Sequence, residues 1–363
     1  MPKGKIKESF FQPRPGKEIT RKHVSNINVK FEPLPDFEAN YPYTYEFSTG
    51  TSDSIAIHVI GDSGGVRYPI SQRIVADAME RDAARNEISF CYHVGDVVYE
   101  NGEDKDYYDQ FYKPYEHYLP HILGIPGNHD GDPVDPNSAS LHGFVTNFCS
   151  DREISPDARE INRNSMDQPN VYWTLITPLF EIIGLYSNVP PGGEIRKPQY
   201  DWFVAQLGEK ARRGDKVLIV AVHHPPYSYD NHHSGSQHIK DVLNKAFTET
   251  KIHPDLVISG HVHNYQRFTL DDQYPYIVIG NSGYWHLHGM KEKGLRVPAD
   301  LSEQNDTKTV LEKYVSDRHG FLKLKINKKT ISGEFHAVSR PHESWSAPPR
   351  VADTFTYNVK KKR

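Results

Sequence analysis

His261 and His263, one residue apart in Gly260-His261-Val262-His263-Asn264-Tyr265-Gln266-Arg267, are well suited to holding a transition metal. In an extended backbone, side chains alternate faces, so both rings would point the same way. Gly260 ahead of them allows a close-approaching backbone. The apolar run Pro254-Asp255-Leu256-Val257-Ile258-Ser259 reads as the buried strand that delivers them. A His-x-His pair taken alone is equally compatible with two surface histidines, so the rest of the chain has to decide. Three further apolar runs end in a glycine followed by a polar ligand type: Gly61-Asp62-Ser63-Gly64, Gly95-Asp96-Val97-Val98-Tyr99-Glu100 and Gly127-Asn128-His129-Asp130. A fourth runs straight into His223-His224-Pro225-Pro226-Tyr227. In α/β sheets, sites are built at the carboxyl ends of strands.

Collected, the strand-end residues are Asp62, Asp96, Tyr99, Asn128, His223, His261 and His263. Two carboxylates, a phenol, an amide and three imidazoles exceed what one four-coordinate ion can use. They suit two ions sharing a bridge, and ions about 3.5–4 Å apart are a recurring arrangement for hydrolysing phosphate esters. Singly, each residue has a plainer reading. Asp62 and Asp96 would serve as helix caps, Asn128 as a turn residue, His223 as a core histidine and Tyr99 as packing.

The elements that must position these groups follow a regular order. The segment Met1 to Thr51 is polar and punctuated by Pro13, Pro15, Pro33, Pro35 and Pro42. It reads as an extended arm with one strand at 27–31. Buried strands are expected at 55–60, 88–94, 122–125, 171–177, 180–185, 217–222, 254–259 and 276–279, with helices at 70–85, 107–118, 198–212 and 237–248. Hairpins close the chain near 321–326 and 330–338. Long polar insertions lie near 131–170 and 284–313, and loops of that length are usually functional or mobile. The organisation expected is an arm over 1–51, one catalytic domain over 52–358 and a basic tail over 359–363.

Bulk properties narrow the function. A chain of 363 residues has ample material for a large core, and 22 Tyr and 16 Phe against 4 Met indicate a folded one. A net charge of −4 gives no reason to expect nucleic-acid binding. Lysines cluster only at Lys3, Lys5, Lys7 and at Lys360-Lys361-Lys362-Arg363, which read as solvated tails. The two cysteines, Cys91 and Cys149, imply no disulfide framework, and one bridge between them stays open. The longest aliphatic run, Val217 to Val222, is too short to cross a bilayer. With no leader in the first thirty residues, a cytoplasmic location is the default, and a secreted or periplasmic one would require a removed leader.

Five blocks, GDSG, GDVVYE, GNHD, HHPPY and GHVHNYQR, stand in this order between about Ser54 and Tyr284. Together they resemble the calcineurin-like metallophosphoesterase superfamily, and specifically its purple acid phosphatases. The resemblance implies an α/β fold, a four-layer α-β-β-α sandwich of two mixed sheets flanked by helices. Most of the superfamily begins with Asp-x-His, whereas Gly64 stands at the third position here. In purple acid phosphatases a tyrosine three residues after the second aspartate, Tyr99 in this chain, replaces the lost imidazole. A phenolate is a hard anionic ligand that favours trivalent iron.

Carried over residue by residue, the resemblance assigns Asp62, Tyr99 and His263 to Fe(III). Asn128, His223 and His261 would hold a divalent Fe, Zn or Mn, with Asp96 bridging. It also assigns three outer histidines, His129, His232 and His233, to protonating the leaving oxygen. Asp130 would support His129. His224 should point away from the site, and His286 and His288 should pack structurally at its rim.

The activity implied is hydrolysis of phosphate monoesters on a small phosphorylated substrate by a metal-bound hydroxide. A phosphodiesterase acting on nucleotides or other diesters with the same metal pair is the alternative. A third reading is a metal-binding scaffold without chemistry, but such relatives lose ligands and all seven positions are filled here. Plant-type members carry a β-sandwich ahead of the catalytic domain, and fifty residues cannot contain one, so a compact version is expected. No membrane association is expected, and oligomeric state is left open.

Overall fold

The computed structural model describes residues 30–50, 52–133, 139–149, 167–212, 214, 216–305 and 307–359. Most of the expected 27–31 strand, much of the first insertion and the basic tail lie outside these residues. Along the chain the strands are β1 Thr44–Glu46, β2 Ile55–Ile60, β3 Phe90–His93, β4 His121–Gly124, β5 Trp173–Ile176, β6 Phe180–Leu185, β7 Val217–Val222 and β8 Leu256–Ser259. After these come β9 Tyr265–Leu270, β10 Tyr274–Ile279, β11 Ala299–Asp300, β12 Thr309–Val315, β13 Gly320–Ile326, β14 Thr330–Ala337 and β15 Arg350–Asn358. The helices used below are α1 Ile70–Ala83, α2 Asn128–Gly131, α3 His142–Phe148, α4 Lys197–Arg212 and α5 Gln237–Thr250.

Two mixed sheets form. One has nine strands in the order β1-β5-β6-β7-β8-β10-β9-β12-β11, and the other has six in the order β15-β14-β13-β2-β3-β4. β2, β3 and β4 are parallel, as are β6, β7 and β8. Every residue of β7, Val217-Leu218-Ile219-Val220-Ala221-Val222, is buried. That continuous apolar run is the mark of a parallel strand covered on both faces. β13 behaves differently: Leu322, Leu324 and Ile326 are buried while Lys323 and Lys325 lie on the other side, the alternation of an antiparallel strand with one face outward. Aromatic contacts join the sheets, with Phe90 against Phe180 at 6.2 Å and Tyr92 against Trp173 at 6.3 Å between ring centroids. α1 covers the six-stranded sheet through Ile74, Val75, Ala78 and Met79. α4 and α5 pack together on the nine-stranded one. The result is the expected four-layer sandwich.

The expected elements recur with ends shifted by a few residues either way, and four expectations need correction. The 107–118 helix is a five-residue π-helical turn, Tyr108–Tyr112, after a 3₁₀ turn at Asp104–Asp106. The arm contributes a strand, because β1 pairs in parallel with β5 from Thr44↔Thr174 to Glu46↔Ile176. The second insertion is not all loop: β12 pairs antiparallel with β9 and extends the sheet. Its Glu312 and Lys313 fall on the less buried stretch of the strand, which gives the sequence a loop-like polarity. Finally, β15 adds a nine-residue edge strand that the hairpin reading omitted. Cys91 and Cys149 are both buried, and no disulfide joins them. Among the described residues no helix is long and apolar enough to cross a membrane.

Candidate metal centre

The carboxyl ends of β2, β3 and β4 meet those of β7 and β8, and all seven strand-end residues come together there. Backbone hydrogen bonds lock the loops to one another: Asp62 N to Gly95 O at 2.9 Å, Ser63 N to Asp96 O at 3.1 Å, and Gly260 N to His223 O at 3.0 Å. Such close approach requires glycine at two points. A Cβ on Gly127 would stand 2.1 Å from Asp96 Oδ1, and one on Gly260 2.6 Å from Asp62 Oδ2. Asp62, Asp96 and His261 adopt left-handed φ values of 54°, 56° and 66°, so the strands turn sharply as they deliver these side chains. The His261–His263 segment is therefore not extended. Both rings reach the centre, but from different directions.

Three donor atoms form one group. Tyr99 Oη donates at 3.1 Å to Asp62 Oδ1 and lies 3.3 Å from His263 Nε2, which is itself 3.4 Å from Asp62 Oδ1. A second group contains Asn128 Oδ1, 3.0 Å from His261 Nδ1, together with His223, whose ring lies 5.3 Å from that of His261. Asp96 Oδ2 stands between the groups, 2.9 Å from Tyr99 Oη and 3.3 Å from His223 Nε2. Asp96, His223 and His261 also present ligand atoms within 4.8 Å of one another. Donors about 2.0–2.2 Å from a shared ion sit about 3.0–3.5 Å apart, so these spacings suit coordination.

The tautomers agree with this geometry. His223 Nδ1 faces Val94 O at 2.9 Å, and His263 Nδ1 faces His286 O at 3.0 Å. Each leaves Nε2 as the lone-pair nitrogen. His223 Nε2 is buried and forms no hydrogen bond.

The electrostatics call for a cation. Asp62 and Asp96 are both buried. Burial and the charge of Asp96 push the Asp62 carboxyl up to about 8, against the pull of His223. Burial would raise Asp96 too, but the His223 and His129 charges outweigh it and hold that carboxyl below its ordinary value. Burial and both carboxylates push the Tyr99 phenol well up, while burial drives His263 down to about 3 and His261 well below its ordinary value. Burial would lower His223, but the Asp96 carboxylate outweighs it and pushes that imidazole up to about 9, so a bound ion takes the place of its proton. Two carboxylates and a phenol packed among imidazoles form a donor set that fits bound metal ions.

The outer histidines border the same space. His129 Nδ1 faces Glu100 O at 2.6 Å, and its ring lies 4.5 Å from that of Tyr99. The His233 ring is 4.5 Å from His261 and 4.5 Å from His232. A cavity of about 210 Å³ opens there, lined by His224, His232, His233 and His261 among others. Asp130 is taken up by backbone, while the His129 ring faces Glu100 O. The Asp130 carboxylate accepts from Val97 N, Val98 N and Gly127 N at 2.8–3.2 Å, tying the GDVV and GNHD turns together. His224 is buried, bonded to Ser187 Oγ at 2.7 Å, with its ring 4.2 Å from that of His261 at a tilt of 43°, so it backs the site rather than turning from it.

Sequence reasoning missed Asp230 and Tyr284. Asp230 Oδ1 accepts from the amides of His232 and His233 at 2.7 and 2.6 Å. Its position just ahead of them carries an Asx-turn signal. Tyr284 covers Tyr99 at 4.1 Å and His263 at 4.6 Å, and nothing local marks it.

The calcineurin-like phosphoesterase profile matches residues 55–265. This chain belongs to the calcineurin-like phosphoesterase family. Within the family it is similar to purple acid phosphatases. Fe(3+)-Zn(2+) purple acid phosphatase 12 of Arabidopsis thaliana is 24% identical over 257 residues, 64% of this chain and 51% of that protein. Purple acid phosphatase 22 of the same plant is 26% identical over 336 residues, 83% of this chain and 66% of that protein. Purple acid phosphatase 1 of Ipomoea batatas is 39% identical over 71 residues, 19% of this chain and 15% of that protein. The chain thus spans about half or less of the length of several relatives it matches. Among solved structures, GAP50, the anchor in the inner membrane complex of Plasmodium, superposes with a TM-score of 0.60 at 16% identity, covering 86% of this chain and 91% of that one. PhoD superposes at 0.53 with 11% identity, covering 86% and 71%. These two likenesses support the fold of the family and nothing finer.

Proposed function

We propose that this protein is a dinuclear-metal phosphomonoesterase of the purple acid phosphatase type, with its catalytic unit in residues 52–358. The observation that carries the reading is Asp96 Oδ2, shared between Tyr99 Oη at 2.9 Å and His223 Nε2 at 3.3 Å. One carboxylate serving two donor groups is what a bridged pair of ions requires. Asp62, Tyr99 and His263 would hold Fe(III), and Asn128, His223 and His261 a divalent Fe, Zn or Mn, with Asp96 bridging. When bound, the pair supplies Lewis acidity to the phosphoryl oxygens and activates the attacking water.

The remaining work falls to the chain. Val94 O and His286 O fix the His223 and His263 rings, so neither has to reorient when charge develops. His129, His232 and His233 line the open side, where imidazole N–H groups can hold phosphate oxygens. From the same side one of them passes a proton to the departing alkoxide. Asp230 holds the His232-His233 turn through their amides.

The test compares kcat/KM for an aryl phosphate monoester with that for the bis-aryl diester, on protein carrying two metal ions. A clear monoester preference is expected. A diester preference would replace this reading with a phosphodiesterase, and absence of turnover with both metals bound would leave a scaffold.

A further inference from the structure

We propose that His232, His233 and His288 form a third, exchangeable site for a divalent transition metal ion such as zinc, at the mouth of the dinuclear centre. Each offers a ring nitrogen, and the three lie within 4.8 Å of one another. On a tetrahedral zinc, nitrogens about 2.0–2.1 Å from the ion sit about 3.4 Å apart. Side-chain rotations of about an ångström therefore close the site. His232 is exposed and His233 only partly buried, so both rings are able to move.

His288 is the fixed member. It is 4% exposed, its Nδ1 forms no hydrogen bond, and that nitrogen stands 3.5 Å from Asp230 Oδ2. A carboxylate facing one imidazole nitrogen leaves the other for an ion, the arrangement that orients histidine ligands in metal sites. Asp230 also accepts from the amides of His232 and His233, so a single carboxylate faces the His288 ring and holds the backbone that carries the other two. The backbone of His288 is held as well, by His288 N to His263 O at 3.0 Å and Asn264 Nδ2 to His288 O at 3.2 Å. Three imidazoles with an open fourth position select zinc, copper or nickel over hard cations.

The competing account is packing alone, since the rings of His232 and His288 stack at 4.6 Å with an interplanar angle of 17°. Stacked rings must splay for their nitrogens to converge, so only ion binding distinguishes the two accounts.

An ion held here takes up the two imidazoles assigned above to phosphate, so excess zinc should inhibit. That consequence rests on the proposed function; the binding does not. The experiment uses protein already carrying its two resident ions, titrated with Zn²⁺ by calorimetry and assayed in parallel. One further equivalent is expected in the wild type. In His288→Gln it should weaken at least tenfold, and the zinc concentration that inhibits should rise equally, while the two resident ions stay bound. A wild type that takes up only two ions, or a His288→Gln that binds the third as tightly, overturns the site. Because His288 packs 4.4 Å from His263, a His288→Gln that loses resident metal is replaced by His232→Ala, read by binding alone. Loss of the third ion there supports the site, and its retention overturns it. Third-ion binding without inhibition supports the site and counts against the phosphate role of His232 and His233.

Discussion

The Tyr99 hydroxyl lies 2.9 Å from Asp96 Oδ2, which couples the phenol directly to the carboxylate shared by both donor groups. Tyr284 seals its ring at 4.1 Å, leaving Tyr99 buried. If that oxygen ligates ferric iron, Tyr99→Phe removes one anionic donor and leaves the fold intact. Loss of partners around a ligand already costs about 10–100-fold in affinity or activity, so loss of the ligand should cost at least as much. The expected outcome is a purple band in the iron-loaded wild type that vanishes in the mutant, with iron content and kcat/KM falling together. A colourless wild type with two zinc or manganese ions and a harmless Tyr99→Phe would reduce the protein to a generic metallophosphoesterase.

Asp130 acts on the site through backbone. Its carboxylate satisfies the amides of Val97, Val98 and Gly127, fixing the turns that carry Asp96 and Asn128. In Asp130→Asn the new NH₂ faces an N–H it cannot accept. A buried donor left without a partner costs about 1–3 kcal/mol. The variant should unfold at lower denaturant by that amount and bind its metals less tightly, with added metal restoring most of the activity. Unchanged metal affinity would show that the turns hold without Asp130.

Much of this was legible in the sequence, for definite physical reasons. β7 announces itself because a run of six buried apolar residues has few other fates. The five blocks mark where β2, β3, β4, β7 and β8 end, and those ends converge. What escaped detection depends on distance or on backbone form. Asp130 and Asp230 act by accepting amide hydrogens, and which amides they reach depends on the backbone path rather than on residue type. The left-handed turn at His261 contradicts the extended reading of His-x-His, yet both rings arrive because Gly260 lets the backbone pass close to Asp62. β12 reads as loop because Glu312 and Lys313 fall on its less buried stretch, while Thr309 and Leu311 pair with Leu270 and Phe268 of β9.

Arg267, last residue of the GHVHNYQR block, has no part in the proposed chemistry and instead joins the two sheets. From β9 it donates through Nε and Nη2 to Asp353 of β15 at 2.7 and 3.0 Å, and Tyr265 Oη donates to the same carboxylate at 2.8 Å. Both charged partners are largely buried. Removing one member of such a pair strands the other and costs about 3–5 kcal/mol. Asp353→Ala should lose stability on that scale in chemical denaturation while retaining metal stoichiometry and kcat. A loss below about 1 kcal/mol, the range of exposed pairs, would mean that water relieves the stranded guanidinium.

The pair His58–Asp82 gives a pH dependence remote from the metal centre. Asp82 Oδ2 lies 3.0 Å from His58 Nε2 and 3.1 Å from Lys323 Nζ. Burial raises the carboxyl, but its hydrogen bonds to His58 and Lys323 outweigh this and hold it down to about 2, against an ordinary 3.8. Burial also keeps His58 below its ordinary value, so near neutral pH the cation facing Asp82 is Lys323. A folded-state value below the unfolded one means that the unfolded chain binds more protons between the two. The stabilisation from Asp82 is therefore fully present above about pH 4 and fades as pH falls towards 2. Wild type and Asp82→Asn should differ most in Tm between pH 5 and 7, a range set by that linkage, and converge in acid. A stability gap that stays constant down to the lowest pH would assign the effect of Asp82 to packing.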